Sequence, residues 1–157
     1  MSFALNLMKN CIFCKIISGE IPSFKIWEDK EFLAILDINP NVKGMTILLS
    51  KKHYPSYIFK MPEKDYLKMM KAAKKVSPLL DKALKVQRTA MIMEGMGINH
   101  AHLKLYPLPG LESESKESWS SERIFFEKYE GFVTSQLGPQ ADFEELKKLA
   151  EEIRKLK

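Results

Sequence analysis

Histidine and cysteine are scarce in this chain of 157 residues, with three of the first and two of the second. Two cysteines cannot make the disulfide framework of a small secreted domain, so redox chemistry, metal binding or two buried thiols are what remain open to them. Seven glycines and eight prolines, scattered and without an internal repeat, exclude collagen-like and low-complexity chains. No sign of charge dominates. Twenty-five Lys and Arg against 20 Asp and Glu leave +5, which suits an anionic partner such as a nucleotide and equally suits plain solubility. Apolar runs such as Met45 to Leu49 fall far short of the roughly 20 residues of a membrane span, and no membrane association is expected. Residues 1–10 lack the basic n-region and the length of a secretory signal, so the chain is read as cytoplasmic.

What is present describes one globular domain over 1–157. Hydrophobic residues make up 45% and charged residues 29%, enough for one core and too little chain for two ordinary ones. Phe24 to Asp29 and Glu31 to Asp37 are β-prone runs about a charged corner, and Met45 to Ser50 reads as a buried strand after Gly44. From Pro62 to about Lys85 the period becomes helical. Tyr66, Met70, Ala73, Leu80 and Leu84 form an apolar face, opposite Lys64, Lys68, Lys71, Lys75 and Lys82. Pro78 predicts a kink or two abutting segments there. Arg88 to Glu94 and Ala101 to Pro107 are two further strands joined by a glycine-containing turn. A polar, variable connection follows over 111–140, and Asp142-Phe-Glu-Glu145 opens an amphipathic helix over 141–157.

The chemistry gathers around His100-Ala-His102-Leu-Lys104. Side chains at i, i+2 and i+4 of a strand share a face, so two imidazoles and an ammonium project together while Ala101, Leu103 and Leu105 project oppositely. Cys11-Ile-Phe-Cys14 has no strand before it, which speaks against a thioredoxin-like redox pair. A tetrahedral zinc site is the better alternative. It needs two more ligands, and His53, His100 and His102 are the candidates.

Four segments in order carry a family resemblance: Cys11 to Pro22, Ala34-Ile-Leu-Asp37-Ile-Asn-Pro40, Lys43-Gly44 leading to Lys51-Lys-His53, and His100-x-His102. Over residues 11–107 the chain resembles the histidine triad (HIT) superfamily of nucleotide hydrolases and transferases. The resemblance implies an α+β fold, with an antiparallel sheet of about five strands and one long helix, and a homodimer. It implies structural zinc held by Cys11, Cys14, His53 and His100. It makes His102 the nucleophile that attacks the α-phosphorus of a purine nucleotide or nucleotide conjugate, beside His100 and Lys104 in the catalytic triad. Asp37 would hold the ribose, Ile38, Phe13, Ile16 and Ile21 would line the nucleoside pocket, and the Gly95 and Gly97 backbone would meet phosphate oxygens.

Two departures stand out. The third triad position is Lys104, a cation with three donors where the family has a histidine. The longer connection ending in Gly-Gln-Ser is replaced by Glu94-Gly-Met-Gly97, and Met45 and Ser50 replace a His and a Pro, read as packing changes. The first reading is a phosphohydrolase acting on a dinucleoside polyphosphate or a nucleoside phosphoramidate. The alternatives are nucleotidyl transfer to a phosphorylated acceptor, and a non-catalytic module for nucleotides or nucleic acid, which is possible on the lysine stripe but not favoured.

Overall fold

The computed structural model describes residues 10–111, 119–134, 140 and 142–144. The chain falls into two compact units, 1–116 and 117–157. In the first, a short helix α1 (Ile12–Ile17) precedes β1 (Lys25–Glu28), β2 (Phe32–Leu36) and β3 (Thr46–Ser50). A 3-10 turn at Ile58–Lys60, the long helix α2 (Glu63–Leu84), β4 (Thr89–Ile92) and β5 (His102–Pro107) complete it. The sheet order is β1-β2-β3-β5-β4, with every neighbouring pair antiparallel. This is the α+β architecture the sequence predicts.

Asp29 turns the first hairpin: its Oδ1 accepts from the amides of Glu31 and Phe32, both at 2.8 Å, a short-range competition with the ladder that aspartate makes readily. The three central strands have residues buried on both faces, because the sheet is covered twice. Phe32, Ala34, Leu48, Leu103 and Leu105 pack under α2 with Met69, Ala72, Ala73, Val76 and Leu80. Leu33, Ile35, Ile47 and Leu49 face the other way, against Cys11 and Phe13 at α1. Strand alternation thus sorts one run of apolar residues into two cores.

Helix α2 meets the sheet along Met69, Ala72, Val76 and Leu80, a line centred slightly to one side of the face predicted from Tyr66, Met70 and Leu84. Tyr66 and Met70 pack at its margin. The expected division at Pro78 into two segments does not occur. The helix continues through it for 22 residues; Pro78 and Lys74 are exposed, so water can take the carbonyl that proline leaves without its helical donor. The lysine face is exposed apart from Lys68, which pairs with Glu31 and Asp65. Lys85 ends the helix in the left-handed region at φ 56°, with the Val86 amide bonded to the Asp81 carbonyl.

In the second unit, residues 119–134 contain neither helix nor strand, and Phe126 and Phe132 meet edge to face at 5.4 Å. Asp142 Oδ1 accepts the Glu144 amide at 2.8 Å, as a helix cap does. The remainder of the predicted C-terminal helix lies outside the described residues.

The buried ladder makes a contrast in stability. Leu103 is fully buried opposite Leu48, so Leu103→Ala should lower the unfolding free energy by about 3 kcal/mol. Leu79→Ala, on the half-exposed helix face, should change it by less than about 0.5 kcal/mol. Urea titrations of the two variants check this, and equal losses would contradict the packing described.

Candidate active site and metal centre

Two loops place the histidines. The segment after β3 and the turn before β5 are stitched together by the Ser56 amide on Asn99 Oδ1 at 3.0 Å and the Ala101 amide on the Tyr54 carbonyl at 2.8 Å. Gly95 allows the approach: at φ 76° a side chain would be strained, and a Cβ there would lie 2.7 Å from the Ser56 carbonyl oxygen. Through this stitching His53 and His100 meet ring edge to ring face at 4.9 Å.

Helix α1 delivers the cysteines to the same point. Cys11 Sγ lies 3.4 Å from His100 Nδ1, and Cys14 Sγ lies 3.3 Å from His53 Nδ1 and 3.6 Å from His100 Nδ1. All four donor atoms fall within 4.8 Å of one another, a spacing one metal ion can bridge. His100 is completely buried. Its Nε2 donates to the Ser50 carbonyl at 2.7 Å, which fixes the tautomer with Nδ1 as the free lone pair, the arrangement of a metal-ligating imidazole. Burial drives its pKa down to about 4, with the neighbouring His53 and His102 pushing the same way against the Ser50 bond. Burial, with the adjacent Cys11 thiol, pushes Cys14 up to about 11. A bound cation would reverse that and draw the thiolate out.

His102 is buried one step along the strand, and its Nδ1 donates to the backbone carbonyl of His100 at 2.6 Å. That leaves Nε2 as the basic nitrogen. Burial lowers the His102 pKa, the Lys104 charge lowers it further, and the His100 carbonyl, Glu94 and Asp37 oppose the shift. The ring packs against Phe13 at 5.2 Å between centroids.

A cavity of about 380 Å³ opens beside His102. Of the residues singled out from the sequence, Phe13, Ile16, Ile21, Asp37, Ile38, Gly97, His102 and Lys104 line it. Asp37 Oδ1 accepts the Asn39 amide at 2.8 Å, which holds the carboxylate in place, and Ile38 is 76% exposed at the rim. His100 lies in the cysteine cluster, as the zinc reading expects, and Gly95 packs against the Ser56 carbonyl; neither is among the residues that line the cavity. Ile35, Ile47, Met96 and Ile98 are among the further lining residues that the sequence reading did not single out. The first two carry a signal in retrospect, since they occupy the sheet face shared with the histidines. Ser50 does more than pack, because its carbonyl orients His100.

With this geometry in view, the HIT domain family matches residues 18–106. The chain belongs to the HIT family. An uncharacterised HIT-like protein of Methanocaldococcus jannaschii is 39% identical over 62% of this chain and 78% of its own length. The adenosine 5'-monophosphoramidase HNT1 of Saccharomyces cerevisiae is 32% identical over 82% of this chain and 81% of its own. Among solved structures, SMU.412c of Streptococcus mutans superposes with a TM-score of 0.66 at 30% identity, covering 93% of this chain and 84% of that one. No helix among the described residues of this HIT protein is long and apolar enough to cross a membrane.

The burial of His100 predicts a pH dependence for the metal-free protein. Between its ordinary pKa near 6.5 and its folded value of about 4, the unfolded chain takes up a proton that the folded chain refuses. Stability therefore falls as pH drops through that window, by about 3 kcal/mol at the acid end, and His100 itself contributes no slope above pH 7 or so. Urea unfolding in chelator from pH 7 to pH 4 measures the slope, and His100→Asn should flatten it.

Proposed function

We propose that this HIT protein is a nucleotide hydrolase acting at the α-phosphate of a nucleotide derivative, a dinucleoside polyphosphate or a nucleoside phosphoramidate, through a nucleotidyl-His102 intermediate. The observation that carries the reading is the orientation of His102. Its Nδ1–H is held by the His100 carbonyl, its ring is kept neutral chiefly by burial, and it lies at the wall of a largely apolar cavity of a size usual for small-molecule sites, roughly 300–1,000 Å³. A neutral imidazole with one nitrogen engaged presents the other as a nucleophile.

The remaining residues divide the substrate between them. Phe13, Ile16, Ile21 and Ile38 offer an apolar slot for a base, and the anchored Asp37 carboxylate can accept from ribose hydroxyls. Lys104, two residues from His102 on the same strand face, offers donors and a positive charge to the phosphate, with the Gly97 backbone beside it. The His102 Nε2 lone pair displaces the leaving group from phosphorus, and water then attacks the phosphorus and returns the electron pair to Nε2. Similarity to a protein named as an adenosine 5'-monophosphoramidase supports the substrate class.

The Cys11, Cys14, His53 and His100 cluster is best suited to zinc. Tetrahedral zinc with Zn–S near 2.3 Å and Zn–N near 2.0–2.1 Å requires sulfur-to-nitrogen edges of roughly 3.5 Å, and the separations here are 3.3, 3.4 and 3.6 Å. When bound, zinc supplies a structural clamp between α1 and the two histidine loops. A second reading, nucleotidyl transfer to a phosphorylated acceptor, is favoured by Lys104, whose permanent charge suits an anionic acceptor better than it suits proton transfer.

Intact-protein mass spectrometry after mixing with adenosine 5'-phosphoramidate tests the proposal. Wild type should show a transient adenylyl adduct, one zinc per chain and two chains per particle under native conditions. His102→Ala should retain the zinc and lose the adduct, while His53→Ala should lose the zinc. Release of free AMP with no acceptor added separates hydrolysis from obligatory transfer, and an adduct that persists in His102→Ala would remove the nucleophile assignment.

A further inference from the structure

Glu94 is a half-buried acid for which neither fold nor metal centre gives a use. Its Oε1 is shielded from solvent and has no hydrogen-bond partner among the described residues, a position that costs free energy. The chain on both sides holds it there. Before it, β4 is paired to β5 with Met91 opposite Leu105 and Ile92 opposite Lys104; after it comes Gly95, packed on the Ser56 carbonyl. β4 ends at Ile92, and its register extrapolated by two residues sets Glu94 level with His102, in keeping with Met93 packing on the opposite face under α2. Opposed residues of an antiparallel pair project from one face, so Glu94 shares the face of His102 and Lys104. Its charge reaches that face at Tyr106, whose pKa burial raises and Glu94 and Asp37 raise further.

We propose that Glu94 is a positioning residue of the reaction, its carboxylate, one oxygen of which has no hydrogen-bond partner, stabilising the positive charge that the His102 ring acquires on nucleotidylation. The inference rests on the nucleotidyl-histidine reading above. In that step the Nε2 lone pair forms the N–P bond, the bond from phosphorus to the leaving group breaks, and its electron pair departs with the leaving group, which takes a proton from solvent. Nδ1 keeps its proton on the His100 carbonyl. The ring is neutral before the step and carries one positive charge after it. Hydrolysis returns the pair to Nε2 and releases a proton from the attacking water.

Lys104 makes this charge a particular difficulty. A histidine in its place can be neutral, whereas lysine sets a second cation two residues from the ring, and like charges at low dielectric repel strongly. Asp37 is the other anion acting on His102, but one of its oxygens is engaged by the Asn39 amide and its assigned role is toward the sugar. Glu94 has an oxygen free of such duty. A fixed carboxylate already in place when the charge develops needs no reorganisation, which is the condition under which electrostatic stabilisation is most effective.

Rapid-quench single turnovers with adenosine 5'-phosphoramidate, using the full-length metal-loaded protein, compare wild type with Glu94→Gln and Glu94→Asp. Glu94→Gln keeps the shape and removes the charge, and should slow adduct formation on the order of tenfold while leaving KM, metal content, thermal midpoint and subunit number unchanged. Glu94→Asp should recover most of the rate. A wild-type rate in Glu94→Gln overturns the assignment, as does equal slowing in both variants or slowing accompanied by a change in subunit number or metal content. Turnover by wild type without any adduct overturns the nucleotidyl-histidine reading and this one with it, and is told apart because the wild-type arm alone reveals it.

Discussion

His100 is tied down in three directions. Its Nδ1 faces Cys11 and Cys14, its Nε2 donates to the Ser50 carbonyl, and its own backbone carbonyl accepts from His102 Nδ1. The residue that belongs to the metal-ligand cluster is therefore also the one that sets the tautomer of the neighbouring imidazole. Any displacement of its backbone releases His102 to rotate or to switch tautomers, and either change moves the basic nitrogen. The Cys/His cluster and the cavity are two ends of one hydrogen-bonded segment, so an ion bound at the cluster would steady the His102 ring without touching it.

The sheet explains why such a segment can exist. Its α2 face carries the larger apolar cluster, so Ala101, Leu103 and Leu105 anchor β5 and the residue before it through ordinary burial. The opposite face is free to carry histidines. There, α1 covers the apolar side chains of β2 and β3 and brings its cysteines to His53 and His100. The same short helix lends Phe13 both to that core and to the cavity wall, so the cover of the core and the wall of the site are one element.

Electrostatically the site is mixed and tightly spaced. Lys104 and Asp37 line the cavity, and burial lowers the pKa of His102. The proposed reaction would ask this surface to hold an anionic phosphate beside a ring that turns positive, with Lys104 standing where the family has a third histidine.

Much of this was legible in the chain. The strand alternation at His100, His102 and Lys104 follows from a period of two, the hairpin from Asp29, and the lysine face of α2 from a period near 3.6, all local regularities of backbone geometry. The continuity of α2 through Pro78 was not legible, because a lost hydrogen bond is tolerable only where the freed carbonyl meets water, and exposure is a property of packing. The same holds for Gly95, whose role depends on how close Ser56 comes, and for Glu94, whose isolation depends on what surrounds it. The residue types and spacings settled which groups can share a strand face and which can ligate a metal. Only the tertiary structure decided that Cys11, Cys14, His53 and His100 converge and that one oxygen of Glu94 is left without a partner, since contacts between residues about 40 to 90 positions apart, and what surrounds a side chain, are set by chain packing and not by local pattern.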